Sequence, residues 1–102
     1  MTAAMDVTVV RVTEKHIADG IACNSARCPI AIALHEALAA KGVQQVQGLF
    51  VDETKVSFSH YIAPERHQYR ADLPAEATEF IQNFDGGASV EPIEFTLTWR
   101  EL

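Results

Sequence analysis

The chain is short of several things, and each shortage excludes a class of protein. It has two cysteines, Cys23 and Cys28, too few for a disulfide framework and, on their own, half of the ligand set of a structural zinc site. Lys and Arg number 8 against 14 Asp and Glu, a net charge of −6. No basic patch stands out along the sequence, so direct binding to a nucleic-acid backbone is not expected. No apolar run approaches the roughly 20 residues of a membrane-spanning helix, since the longest, Pro29 to Leu34, is followed by His35 and Glu36. The opening "MTAAMDVTVVRV" has no basic region leading into an apolar stretch, so a secretory leader is not expected. A cytoplasmic setting with reduced thiols and no membrane association is therefore the expectation. There are 5 glycines and no glycine-rich fingerprint among them. Gly86-Gly87 reads as a helix stop rather than a phosphate loop, and no cofactor is expected.

What is present is a core. Hydrophobic residues make up 48% of 102 residues, enough for one domain spanning residues 1–102. "VTVVRV" at 7–12 is β-branched and reads as a strand. Thr13 can cap a short helix over 14–19 that Gly20 stops. Pro29 suits the first turn of a second helix, in which Ile30, Ala33, Leu34, Ala37 and Leu38 keep a 3.6-residue period up to Lys41-Gly42. Few bulky polar residues interrupt this helix, so it is buried around much of its circumference, within the monomer or at the interface of a homodimer. From Val43 to Ala71 the period changes to two. "VQQVQGLFV" and "KVSFSHYI" flank "DET" as a hairpin, with Val56, Phe58, His60 and Ile62 on one face. "APER" reads as a turn and "HQYRA" as a further strand, with Arg66 and His67 expected where the turn meets it. Ala77, Phe80, Ile81 and Phe84 mark a third helix, and "PIEFTLTWR" alternates with Ile93, Phe95, Leu97 and Trp99 inward. The order predicts an α+β fold: an antiparallel or mixed sheet of four to five strands, two main helices on one face and one short helix.

Candidate sites are few. Cys28 precedes Pro29 and lies near the unpaired N–H groups of a helix start, where a thiol pKa can fall. A buried, capping cysteine is the simpler reading of the same position. Cys23 and Cys28 with His16 make a candidate metal set, although the sequence holds no second ligand pair. "HEALA" at 35–39 has alanine where a zinc-protease helix has its second histidine, so that motif fails. Arg66, His67, Tyr69 and Arg70 form a local basic-aromatic group and a candidate site for a small anionic ligand such as a nucleotide. His60, on an apolar strand face, reads as a hydrogen-bonded residue of the core edge.

The charge is lopsided. Residues 1–51 hold Asp6, Glu14, Asp19 and Glu36 against Arg11, Lys15, Arg27 and Lys41, whereas 52–102 carry the whole acidic excess. Glu76, Glu79, Asp85, Glu91 and Glu94 are the candidate surface for a partner protein, itself basic. No acid pair or nucleophile–base arrangement argues catalysis, so an enzyme is not expected.

Two segments look familiar. "VRVTEKHIADGIACNSARCPIAIALHEAL" and "LPAEATEFIQNFDGGASVEPIEFTL" resemble a family of small uncharacterised proteins encoded by phages, prophages and their hosts. The shared pattern is V-T-x-x-H-I-x-x-G, then C-P-I-A-x-A-L, then L-P-x-E-A-x-x-F-I-x-x-F-D-x-G. It matches at Val12, Thr13, His16, Ile17, Gly20, Cys28, Pro29 and Ile30, and again from Leu73 through Asp85 and Gly87 to Phe95. The resemblance implies a mobile-element origin but transfers no functional residue. By analogy it suggests a non-enzymatic accessory protein that binds a host protein, for instance to inhibit a defence or nucleic-acid-handling system.

Overall fold

The structure, a computed structural model, describes residues 7–102. The reading of the N-terminal residues as lacking a leader rests partly on positions 1–6, which lie outside the described residues. The chain runs β1 (Val7–Val12), α1 (Glu14–Asp19), α2 (Pro29–Ala40), β2 (Val46–Val51), β3 (Lys55–Ile62), β4 (Glu65–Asp72), α3 (Ala75–Asp85), β5 (Ile93–Thr98) and β6 (Arg100–Glu101). This is an α+β fold with antiparallel pairing throughout. Where one sheet of four to five strands was expected, there are two open sheets, β1-β5 and β2-β3-β4-β6.

The division has a local cause. Residues 93–101 run as one extended segment that pairs with β1 as far as Thr98 and with β4 from Arg100 onward. Trp99 sits at the crossover, 8% exposed, its indole Nε1 donating to Thr8 Oγ1 at 2.8 Å and its ring edge-on to Phe58 at 4.9 Å. The buried hydroxyl of Thr8 thus has a partner, as a polar group on a core-facing strand position must.

The core lies between β1 and α2 and extends under the four-stranded sheet. Val10 and Val12 of β1, Ile30, Leu34 and Leu38 of α2, Val56 of β3 and Leu97 of β5 are all sealed from solvent. Each such side chain stabilises the fold by about 1.5–3 kcal/mol relative to exposure. The apolar circumference of α2 is covered within this one chain, by β1, α1 and β2. Its alanines, Ala31 and Ala33 among them, let these elements approach closely. No helix among the described residues is long and apolar enough to cross a membrane.

The hairpin β2–β3 forms where "DET" places it. Asp52 accepts from the main-chain N–H of Thr54 and of Lys55, both at 2.8 Å. Burial pulls the Asp52 carboxyl upward, but those two bonds and the Lys55 ammonium outweigh it and hold it below the usual carboxylate value. Arg66 and His67, expected in a turn, are instead strand residues. Ladder pairing resumes at Ile62↔Glu65, so the turn is only Ala63-Pro64.

Candidate functional site

The helix start around Cys28 is built from the residues that carry the sequence pattern. Thr13 caps α1: its side chain accepts from His16 N, while its own N–H donates to His16 Nδ1 at 2.9 Å. That bond places the ring proton on Nε2, which donates to Glu36 Oε1 at 2.8 Å. The buried His16 therefore ties α1 to α2 with both ring nitrogens committed. At Gly20 an added Cβ would lie 2.5 Å from the Pro29 ring, so only glycine permits this approach. Cys28 is the N-cap of α2, and its Sγ accepts from Ala31 N at 3.4 Å. Burial pushes its thiol up, opposed by the Ala31 and Ile30 N–H groups. A thiol held protonated and used as a hydrogen-bond acceptor has little nucleophile at neutral pH.

Cys23 is exposed, with its backbone in the left-handed region (φ 58). Its N–H donates to Asp85 Oδ1 at 2.9 Å, tying the loop to the end of α3. Cys23, Cys28, Asp52 and Asp85 line a cavity of about 190 Å³, but His16 faces Thr13 and Glu36 rather than the thiols. Among the described residues no group of three or more His, Cys, Asp or Glu side chains is placed to hold a metal ion.

The acidic residues are spread over separate elements. Glu76 and Glu79 are exposed on α3, Asp85 is engaged with Cys23, Glu91 precedes β5, and Glu94 is paired with Arg11 at 2.9 Å.

The basic-aromatic group is divided by the strand pleat. His67 and Tyr69 face inward. There His60, His67 and Tyr69 pack with ring centroids 5.5–5.8 Å apart, and His67 Nδ1 lies 2.8 Å from Glu101 Oε2. His60 is buried with Nε2 making no hydrogen bond to any described residue, not the bonded core-edge residue expected at that atom. Burial, and then the facing His67, push its imidazole below the ordinary histidine value against the Gln44 main chain and Glu101.

Arg66 and Arg70 face the other way, onto the open side of the four-stranded sheet. Register fixes their company. Phe50, Ser57, Arg70 and Arg100 form one row across all four strands; Gln47, Ser59 and Gln68 form the next, and Tyr61 stands opposite Arg66. Lys55 and Asp72 pair at the end of the same face. The face thus gathers Lys55, Arg66, Arg70 and Arg100 against the carboxylate of Asp72, which lies 3.5 Å from Arg100. Lys55 is 3.6 Å from Asp52. Arg66 and Arg70 have no carboxylate partner among the described residues. At the centre is a pocket of about 210 Å³ lined by Gly48, Ser57, Ser59, Gln68 and Arg70 together with Phe58, Tyr69 and Leu102. Gly48 sits in a β-bulge at φ +62, a conformation that suits glycine. Arg70 Nε is buried beside this pocket and makes no hydrogen bond to any described residue.

Sequence reading found Arg66 and Arg70 but grouped them with the wrong neighbours. Lys55, Arg100, Phe50 and the serines of this face were not joined to them, although strict alternation in β3 and β4 carries the signal. No protein-family model matches the chain, and neither does any curated protein or solved structure.

Proposed function

We propose that this is a non-enzymatic, cytoplasmic binding protein that takes an anionic, phosphate-bearing ligand on the open face of its four-stranded sheet. One observation carries the reading: Arg70 lines a polar pocket with its buried Nε–H making no hydrogen bond to any described residue, and Arg66 and Arg100 stand on the same face. A buried donor left without an acceptor costs about 1–3 kcal/mol, which an anion supplying that acceptor recovers. Guanidinium groups bind phosphate oxygens in two-pronged fashion, and the Ser57 and Ser59 hydroxyls and the Gln68 amide add neutral donors. Two other candidate side chains are engaged elsewhere: Cys28 caps α2 and His16 bridges two helices.

Calorimetry and thermal melts with pyrophosphate and with a nucleoside triphosphate test this. The expected result is stabilisation of the native chain and loss of about 2 kcal/mol of binding free energy in Arg70→Ala. No stabilisation by either ligand, or equal stabilisation of Arg70→Ala, overturns the reading.

A second reading, a phage-type accessory protein docking on a basic host protein, is favoured by Glu76 and Glu79. Both stand exposed on α3 and form no ion pair among the described residues. Charge reversal at both (Glu76→Lys, Glu79→Lys) then abolishes capture of a partner from host lysate at moderate salt; capture that survives the reversal removes this reading.

A further inference from the structure

We infer that the ligand of the sheet face is single-stranded nucleic acid. The inference rests on the reading of this face as an anion-binding surface and goes beyond it by naming the polymer. Three features converge. First, nothing among the described residues covers the face: its outward residues on β2, β3, β4 and β6 are all exposed or half-buried, and α2 contacts this sheet through β2. Second, two large aromatic rings stand on it in the open, Phe50 at 49% and Tyr61 at 47% exposure. Exposed rings on a sheet surface are platforms on which unpaired bases stack, whatever the base. Third, the cations are interleaved with those rings rather than clustered. Arg70 and Arg100 continue the row that Phe50 begins, and Arg66 stands directly opposite Tyr61. A single strand offers just this alternation, a charged backbone with flat bases hung along it.

The dimensions agree. β3 and β4 each run eight residues, about 26 Å at the usual rise, and four strands span about 14 Å. That is room for about four nucleotides, the small end of known single-strand sites. Ser57, Ser59, Gln47 and Gln68 lie between the rings with donors and acceptors for base edges. A duplex fits poorly, because its bases are already stacked on one another and its groove edges are out of reach of these short side chains. An acidic peptide would pair with the arginines and leave Phe50 and Tyr61 nothing to stack on. The linear charge count of the chain hides this face. The count averages over an acidic chain, whereas the strand pleat sorts the cations of residues 52–102 onto one side.

Fluorescence anisotropy with labelled oligothymidylate and oligouridylate of about ten nucleotides tests the inference. Parallel titrations use a duplex of the same length, polyglutamate and inorganic tripolyphosphate. The expected result is single-strand binding at least about tenfold tighter than duplex binding, weakened about tenfold in each of Phe50→Ala and Tyr61→Ala and abolished in Arg66→Ala/Arg70→Ala. With about three phosphates neutralised, the log–log salt slope is about −2. Circular dichroism checks that these surface variants fold. Equal affinity for duplex or polyglutamate, or indifference to the loss of both rings, overturns the nucleic-acid inference. If tripolyphosphate binds the native chain but not Arg70→Ala and oligonucleotides bind no tighter, the anion-binding face stands and the single-strand inference falls. If nothing binds, both fall.

Discussion

At His16 two hydrogen bonds fix one ring, and both span structure rather than chemistry. Removing the imidazole exposes the Thr13 N–H and frees Glu36, so His16→Ala should lower stability by about 1–3 kcal/mol in urea titration. His16→Gln, which can still reach back to the cap N–H as in a capping box, should recover part of that loss. The two thiols should separate just as clearly. Cys23 is exposed and should react with a disulfide reagent promptly at neutral pH, while the buried Cys28 reacts only through opening of α2; equal rates would contradict the structure. At His60 the depressed imidazole gives a sign that can be worked out. The unfolded chain binds a proton at this site near pH 6.5 and the folded chain only at lower pH. Its contribution to stability is therefore complete above about 6.5 and is lost as pH falls through the folded value. Denaturant titrations from pH 7.5 down to 5 should show this decline, and His60→Leu should flatten it. Of these roles, the sequence disclosed the capping positions of Thr13 and Cys28, because the start of a helical period, and Pro29 in the second case, marks the residue before it as a cap. It did not disclose the pairing of His16 with Glu36, twenty positions away, which depends on how α1 lies against α2.

Among elements, the contact of α1's end with α2's start turns on Gly20. Its φ of −73 is ordinary, so the glycine is required by space alone, and Gly20→Ala should cost about 1–3 kcal/mol through overpacking against Pro29. A melt of that variant within a degree of the native chain would show that the helices can part without penalty. The turn between β2 and β3 rests on Asp52, whose carboxylate accepts from two main-chain N–H groups. Elements with strong periodicity were legible: α1, α2, the "DET" hairpin and the inward set of β5 all stand where the spacing puts them. The bounds of β4 were not, since Pro64 suggested a longer turn than the two residues used. The open sheet face was legible in principle, residue by residue, from alternation. It was missed because Lys55, Arg66, Arg70 and Arg100 are far apart in sequence and only register assembles them.

On the scale of the whole molecule, charge and topology are both sorted. The acidic excess of residues 52–102 coexists with a sheet face where cations predominate, so the molecule has a direction that its net charge hides. The two sheets are joined at Trp99, whose bond to Thr8 links the N-terminal strand to the corner. Trp99→Phe leaves the Thr8 hydroxyl buried without its partner and should cost about 1–3 kcal/mol by urea denaturation. The division into two sheets was beyond sequence pattern, because one uninterrupted alternation from Ile93 to Trp99 serves both.

Val7 pairs with Thr98, and β4 pairs with Glu101. During synthesis, then, β1 emerges from the ribosome long before its partner exists. Until residues 93–101 are released, β1 has no strand to pair with and the β2-β3-β4 sheet lacks its edge strand. The protein therefore completes its fold only after translation has passed this segment.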